Sequence, residues 1–209
     1  MRCRLDSTRT GPVTKRLLEL CHIERRYHHV SVDQIKQDSA RKKIQHYVDN
    51  IEEACHKGYG LVLTGSFRSG KTSAAIAVGK QLLTCRGSVL FARSTELVRA
   101  GIEETYYEDG ETLEERAQDV WLLIIDDVGA EKEGVYYKSV LEEFVRVRYN
   151  AMLPTIITTN LEAAELKQKH KGIWSILKAN CMFVDLENSV WEAYEEEGIR
   201  AFEGGSDGR

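Results

Sequence analysis

The sequence predicts an α/β fold, a five-stranded parallel sheet flanked by helices, on three observations. Five short apolar runs, "LVLTG", "SVLFAR", "VWLLII", "PTIITT" and "CMFVDL", read as strands buried on both faces. Helical patterns separate them, as right-handed strand–helix–strand crossovers require. The stretch "GSFRSGKTS" between the first strand and its helix has the GxxxxGKT spacing of a phosphate-binding loop.

The 209 residues, 42% of them apolar, are enough chain for one sizeable core. Pro12, after Gly11, is placed to open a helix through "VTKRLLELCHI", and a second helical pattern runs from about Val32 to His56 before "KGYG" breaks it. The helices "GKTSAAIAVGKQLLTC", "STELVRAGIEETYY" (capped by Ser94 or Thr95), "YYKSVLEEFVRVRYNA" and "LEAAELKQKH" then alternate with the strands. The acidic residues after Leu186 end in "EGGSDGR" and are expected to fray, leaving little or no C-terminal lid. The expected division is a basic helical N-terminal arm over 1–30, a nucleotide-binding core over 31–202 and a flexible tail over 203–209.

Net charge is −4, unevenly spread: residues 1–50 hold 11 Lys or Arg against 6 Asp or Glu, a net +5. A basic arm on an acidic body suits contact with nucleic acid or an acidic partner surface, and equally suits a solvated helix face. The five scattered cysteines form no CxxC pair and are expected as free thiols in a reducing cytoplasm. Cys21, His22, His28 and His29 match no standard zinc spacing. No apolar run approaches a membrane span, and the N-terminus shows no secretory signal.

Three segments carry the chemistry. In the phosphate loop the expected binding set is Gly65, Ser66, Phe67, Arg68, Ser69, Gly70, Lys71, Thr72 and Ser73. Its N–H groups and the following helix N-terminus suit phosphate oxygens, Lys71 suits the β and γ phosphates, and the Thr72 hydroxyl suits Mg²⁺. Arg68 either lies along the phosphates or faces solvent. In "WLLIIDDVGAE", Asp126 and Asp127 stand at the carboxyl end of a buried strand, where ligands of open α/β sheets bind. Asp126 is expected to hold Mg²⁺ through water, and Asp127 to orient the attacking water. In "PTIITTN", Asn160 either senses a γ-phosphate at the same rim or caps the next helix.

Together these segments resemble the AAA+ ATPases, and more closely the DnaC-type helicase loaders and IstB-type transposition ATPases. The resemblance extends to "HIERRY", which is similar to an I-P-x-R-Y segment with Glu24 where proline is usual. It also takes in "SVLFARSTELV", "LLIIDDVGAEK", "RYNAMLPTIITTNL" and "FVDL", covering about residues 15–187. It implies a five-stranded AAA+ core with ATP and Mg²⁺ as ligands. Gly65, Gly70, Lys71 and Thr72 become Walker A, Asp126 and Asp127 Walker B, and Asn160 a sensor.

The implied partners are a replicative helicase or a transposase, with DNA, single-stranded in the loader reading, and a homo- or hetero-oligomer through the core. The alternative of another class is a nucleotide-switched binding module with little hydrolysis. A small-molecule kinase would need an arginine-rich lid.

The chain departs from the family where arginines that reach a neighbouring subunit's nucleotide are usual. The "SRL"-like triplet reads Ser175-Ile176-Leu177, a second arginine position is Gly172, and "ENSVWE" after the last strand has no basic residue. An arginine supplied in trans is worth about 10³ to 10⁵ in phosphoryl transfer, so slow ATP hydrolysis by the chain alone is expected. Lys178 is a candidate substitute without the planar fork. Arg146 and Arg148 are candidates to reach a neighbour or DNA, with Glu142 placed to pair with Arg146.

Overall fold

The computed structural model describes residues 11–101, 111–130 and 134–186. The first ten residues of the expected arm, the tail over 203–209, "ENSVWE", Arg200 and Arg209 lie outside the described residues. No helix among the described residues is long and apolar enough to cross a membrane.

Five strands form one parallel sheet: β1 (Gly60–Thr64), β2 (Val89–Arg93), β3 (Leu122–Val128), β4 (Thr155–Thr159) and β5 (Cys181–Asp185), in the order β2-β3-β4-β1-β5. The apolar runs alternate their side chains between two cores. Leu61, Leu63, Leu122, Ile124 and Ile156 face one cluster, and Val62, Leu123, Ile125 and Ile157 face the other. Both faces are therefore covered, which is why these strands read as continuous apolar runs.

The first layer holds α1 (Lys15–Leu20), α2 (Asp38–Asp49), α3 (Ile51–Lys57) and α4 (Lys71–Thr84). Contrary to the Pro12 start, α1 begins at Lys15, because the Thr14 side chain accepts the Leu17 N–H at 3.2 Å and supplies the cap. The single helix expected over Val32–His56 is broken twice. Ser31 and Gln34 close one 3-10 turn over Val32–Gln34, and extended Ile35 and Gln37 follow before α2. Asn50 then ends α2, its side-chain amide donating to His46 O at 2.8 Å. After α1, the Phe91 N–H donates to Cys21 O, so the N-terminal segment covers the β2 edge of the sheet. Lys80 of α4 holds the same segment through His28 O (2.6 Å) and Val30 O (2.7 Å).

The second layer holds α5 (Ser94–Ala100), α6 (Leu113–Asp119), α7 (Val135–Asn150), α8 (Ala163–Lys169) and α9 (Lys171–Asn180). The cap of α5 is not Ser94 or Thr95. Arg93 is the N-cap, its N–H donating to Glu96 Oε2 at 2.9 Å, and the Ser94 hydroxyl turns to Asp127 O instead. The described part of that helix stops at Ala100, short of the "GIEETYY" extension.

Two helices had no counterpart in the sequence reading: α6, opened by the Thr112–Glu115 capping box, and α9, whose Ile173 and Leu177 are buried one turn apart.

Arg148 corrects the expectation that it reaches a neighbour or DNA. It is fully buried, and its guanidinium donates to Ala117 O, Val120 O, Trp121 O, Pro154 O and Thr155 Oγ1. It fastens α7 to the starts of β3 and β4. Arg146 is exposed; its Nε lies 3.9 Å from Glu143 and an Nη donates to Gly172 O, while Glu142 turns to the Gly172 N–H.

The four described cysteines are free thiols. Burial pushes Cys21 up to about 11 and Cys55 and Cys181 up to about 12, so they are weak nucleophiles at neutral pH.

Candidate nucleotide-binding site

Between β1 and α4 the loop curls because three residues take the left-handed region, Gly65 (φ 140°), Arg68 (φ 62°) and Gly70 (φ 88°). A Cβ on Gly65 would sit 2.4 Å from Leu186 O, so that position needs glycine for space as well as for φ. Gly70 caps α4. The loop wraps around Lys71, whose ammonium donates to Gly65 O (3.0 Å), Ser66 O (2.6 Å) and Ser69 Oγ (3.2 Å). Burial lowers the Lys71 pKa, opposed by Asp127, Asp126 and Asp185. Ser69 and Ser73 are buried, whereas Ser66, Phe67 and Arg68 are exposed at the loop tip.

The carboxylates arrive on β3, which runs on to Val128 rather than ending at Ile125. Asp126 Oδ1 accepts from Thr72 Oγ1 (2.9 Å) and from Thr158 Oγ1 (2.6 Å). Burial raises the Asp126 pKa, opposed by the Thr158 and Thr72 hydroxyls. The ladder to β4 shifts register between Ile125 and Val128, and Asp127 sits there at φ 59°. Its N–H donates to Thr158 Oγ1 (2.9 Å), its carbonyl accepts from Ser94 Oγ (2.9 Å) and its Oδ1 accepts from Asn160 Nδ2 (2.9 Å).

The capping alternative for Asn160 is not the one this fold takes. Glu162 caps α8, with Glu165 accepting its N–H, and Asn160 is left to Asp127.

Loop, aspartates and Asn160 thus line one cleft of about 850 Å³. Its other wall is the N-terminal segment, with Glu24, Arg26, Tyr27, His29 and Gln34, and Arg93 at the end of β2. The sequence reading missed this wall, and it missed Thr158, whose hydroxyl joins the two aspartates. The repeated threonines before Asn160 in "TIITTN" were the available signal. A second cleft, of about 970 Å³, lies between α2, α3 and α4 and shares none of the phosphate-loop chemistry.

The positions without arginine lie on α9. A Cβ at Gly172 would meet the Glu142 carboxylate, Ile176 packs against the second core, and Lys178 Nζ lies 6.0 Å from the Trp174 ring centre.

No family model matches the chain. It is 26% identical over 200 residues to a replicative helicase loader DnaC of Buchnera aphidicola, across 92% of this chain and 78% of that protein. Over 139 residues it is 30% identical to the replicative helicase loader DnaI of Bacillus subtilis, across 64% of this chain and 44% of the relative. A crystal structure of the DnaC helicase loader superposes with a TM-score of 0.66 at 23% identity, over 78% of this chain and 99% of that one. The chain is similar in sequence to DnaC-type replicative helicase loaders over most of its length and shares their fold. In this chain the cleft lies at the carboxyl ends of β1, β3 and β4. The chain spans 78% of the first relative's length and under half of the second's.

Proposed function

We propose that the chain is an ATP-binding accessory factor of DNA replication, a helicase-loader-like protein that uses ATP binding to place a replicative helicase on DNA. The single observation that carries the nucleotide reading is the chain of contacts Thr72–Asp126–Thr158–Asp127–Asn160, which ties three separate sequence motifs into one site. The relatives are named as replicative helicase loaders, which favours this reading over transposition.

The donor set fits a magnesium-bound triphosphate. Lys71 is held by neutral oxygens, which anionic phosphate oxygens outcompete for an ammonium. Thr72 and Asp126 together offer a hydroxyl and a carboxylate oxygen to a hard cation. Mg²⁺ bound there would neutralise phosphate charge. Asp127, held by Asn160 and Thr158, orients and polarises water at the rim of the sheet, and Asn160 senses the terminal phosphate. The loop N–H groups bind phosphate, with exposed Arg68 at the tip. Hydrolysis is slow or partner-stimulated, since α9 presents Gly172 and Ile176 where a trans arginine would stand.

The test is capture by the immobilised chain, with and without ATP, using Lys71→Ala as control. ATP-dependent retention of a replicative helicase, lost in the variant, supports the reading. Capture of neither helicase nor DNA under any condition contradicts it, and ATP-dependent capture of a transposase instead decides for the second reading.

A further inference from the structure

The cleft carries a charge arrangement that the phosphate loop, the aspartates and Asn160 do not use. Arg93 ends β2, and its Cα is the register partner of Asp126 on the adjacent strand. Parallel strands lie about 4.8 Å apart, so the Arg93 side chain starts one strand away from the carboxylate that meets Thr72. Its backbone is pinned by Glu96, and the next residue, Ser94, holds Asp127 O.

The guanidinium Nη2 donates to Glu24 Oε1 at 2.8 Å, and Arg26 Nε lies 3.2 Å from the second oxygen of that carboxylate. One carboxylate therefore faces two guanidinium groups beside a phosphate site.

This pair is open to exchange. Arg93 and Glu24 side chains are 48% and 45% exposed, and water screens ion pairs of that kind. A terminal phosphate carries more charge than a carboxylate and offers more oxygens to the planar fork of arginine.

Resting on the reading that this cleft binds ATP, we propose that Arg93 reads the terminal phosphate in cis and that Glu24 holds it aside until a triphosphate enters. ADP lacks the competing group and leaves the Arg93–Glu24 pair in place. Glu24 stands at the start of the 3-10 turn Arg25–Tyr27 and its carboxylate also meets Arg26, so its release from Arg93 changes an ion pair within the N-terminal segment that walls the cleft.

The experiment is equilibrium binding, with Mg²⁺, of ADP and of a non-hydrolysable ATP analogue. It compares the wild-type chain with Arg93→Ala, Arg93→Lys, Glu24→Gln and the Arg93→Ala/Glu24→Gln double variant. Arg93→Ala is expected to weaken the analogue about tenfold, the scale of one charge-assisted hydrogen bond, and ADP by less than about twofold. Arg93→Lys keeps part of the discrimination, which separates lost charge from misfolding. Glu24→Gln removes the competitor and tightens the analogue, a gain that disappears without Arg93. An unchanged analogue-to-ADP ratio in Arg93→Ala, equal weakening of both nucleotides, or a Glu24→Gln gain that persists in the double variant overturns the proposal and leaves ATP binding itself standing. A wild-type chain that binds neither nucleotide overturns both.

Discussion

The side-chain amide of Asn160 donates to Asp127 Oδ1 at 2.9 Å, joining the loop after β4 to the second carboxylate of β3. Asp127 is held in the left-handed region, a cost that persists only where neighbours fix it, and Thr158 and Ser94 supply the other two ties.

This relationship separates binding from turnover. Asn160→Ala should leave ATP affinity within about threefold and lower the hydrolysis rate by about 10²-fold, the scale of one lost polar contact to a reacting centre. Parallel titration and single-turnover measurements check the split. An affinity loss as large as the rate loss would assign Asn160 to simple binding.

Asp126 predicts a pH dependence of stability. Burial raises its pKa above that of the unfolded chain, so the folded state holds the proton more tightly. Above the raised value the buried charge opposes folding, and as pH falls through that value protonation relieves the cost. Asp126→Asn should therefore raise the Tm of the nucleotide-free protein at neutral pH, with a gain that shrinks as pH falls through the raised value. Thermal melts across that range measure it, and a variant less stable at neutral pH would show that hydrogen bonding outweighs desolvation.

Arg148 predicts the reverse of a surface arginine. Arg148→Met strips the donors from four carbonyls and the Thr155 hydroxyl and should cost about 3 to 5 kcal/mol in urea unfolding. Arg146→Met, at an exposed position, should change stability by less than about 0.5 kcal/mol.

Much of this molecule is legible in the sequence because its strands are uniformly apolar and its loop motif follows one of them. The five strands, α4, and the meeting of Lys71, Thr72, Asp126 and Asp127 follow from local pattern, whereas local pattern left Asn160 open between sensor and cap until the family resemblance favoured the first.

Arg148 was misread as a reaching side chain, although it falls on the same stripe as Leu141, Phe144 and Val145 at helical spacing, which marks a buried position. What no helical period reveals is that the segments leading into β3 and β4 leave carbonyls that need a donor. The N-terminal wall of the cleft was equally hidden, since Glu24, Arg26 and Tyr27 come to the cleft through long-range contacts, Cys21 with Phe91 and Lys80 with His28 and Val30. The break at Asn50 was local and visible in principle, whereas α6 and α9 lay in stretches read for charge rather than for periodicity.

The lone chain should turn ATP over slowly at any protein concentration, because self-association brings Gly172 and Ile176 rather than arginine to a neighbouring cleft. The missing group is worth about 10³ to 10⁵ in rate. Phosphate release from the purified protein, alone and with a replicative helicase and single-stranded DNA, checks this. Brisk hydrolysis that rises with protein concentration would show that another cation, such as Lys178, serves in trans.

Calorimetric titration of ATP in the presence and absence of Mg²⁺ asks whether the loop, Asp126 and Thr72 act as one site. One nucleotide should bind per chain with tighter affinity when Mg²⁺ is present, Lys71→Ala should abolish binding, and Asp126→Asn should remove the Mg²⁺ dependence. Binding that is indifferent to Mg²⁺, or that survives Lys71→Ala, would contradict the site as assembled from these residues.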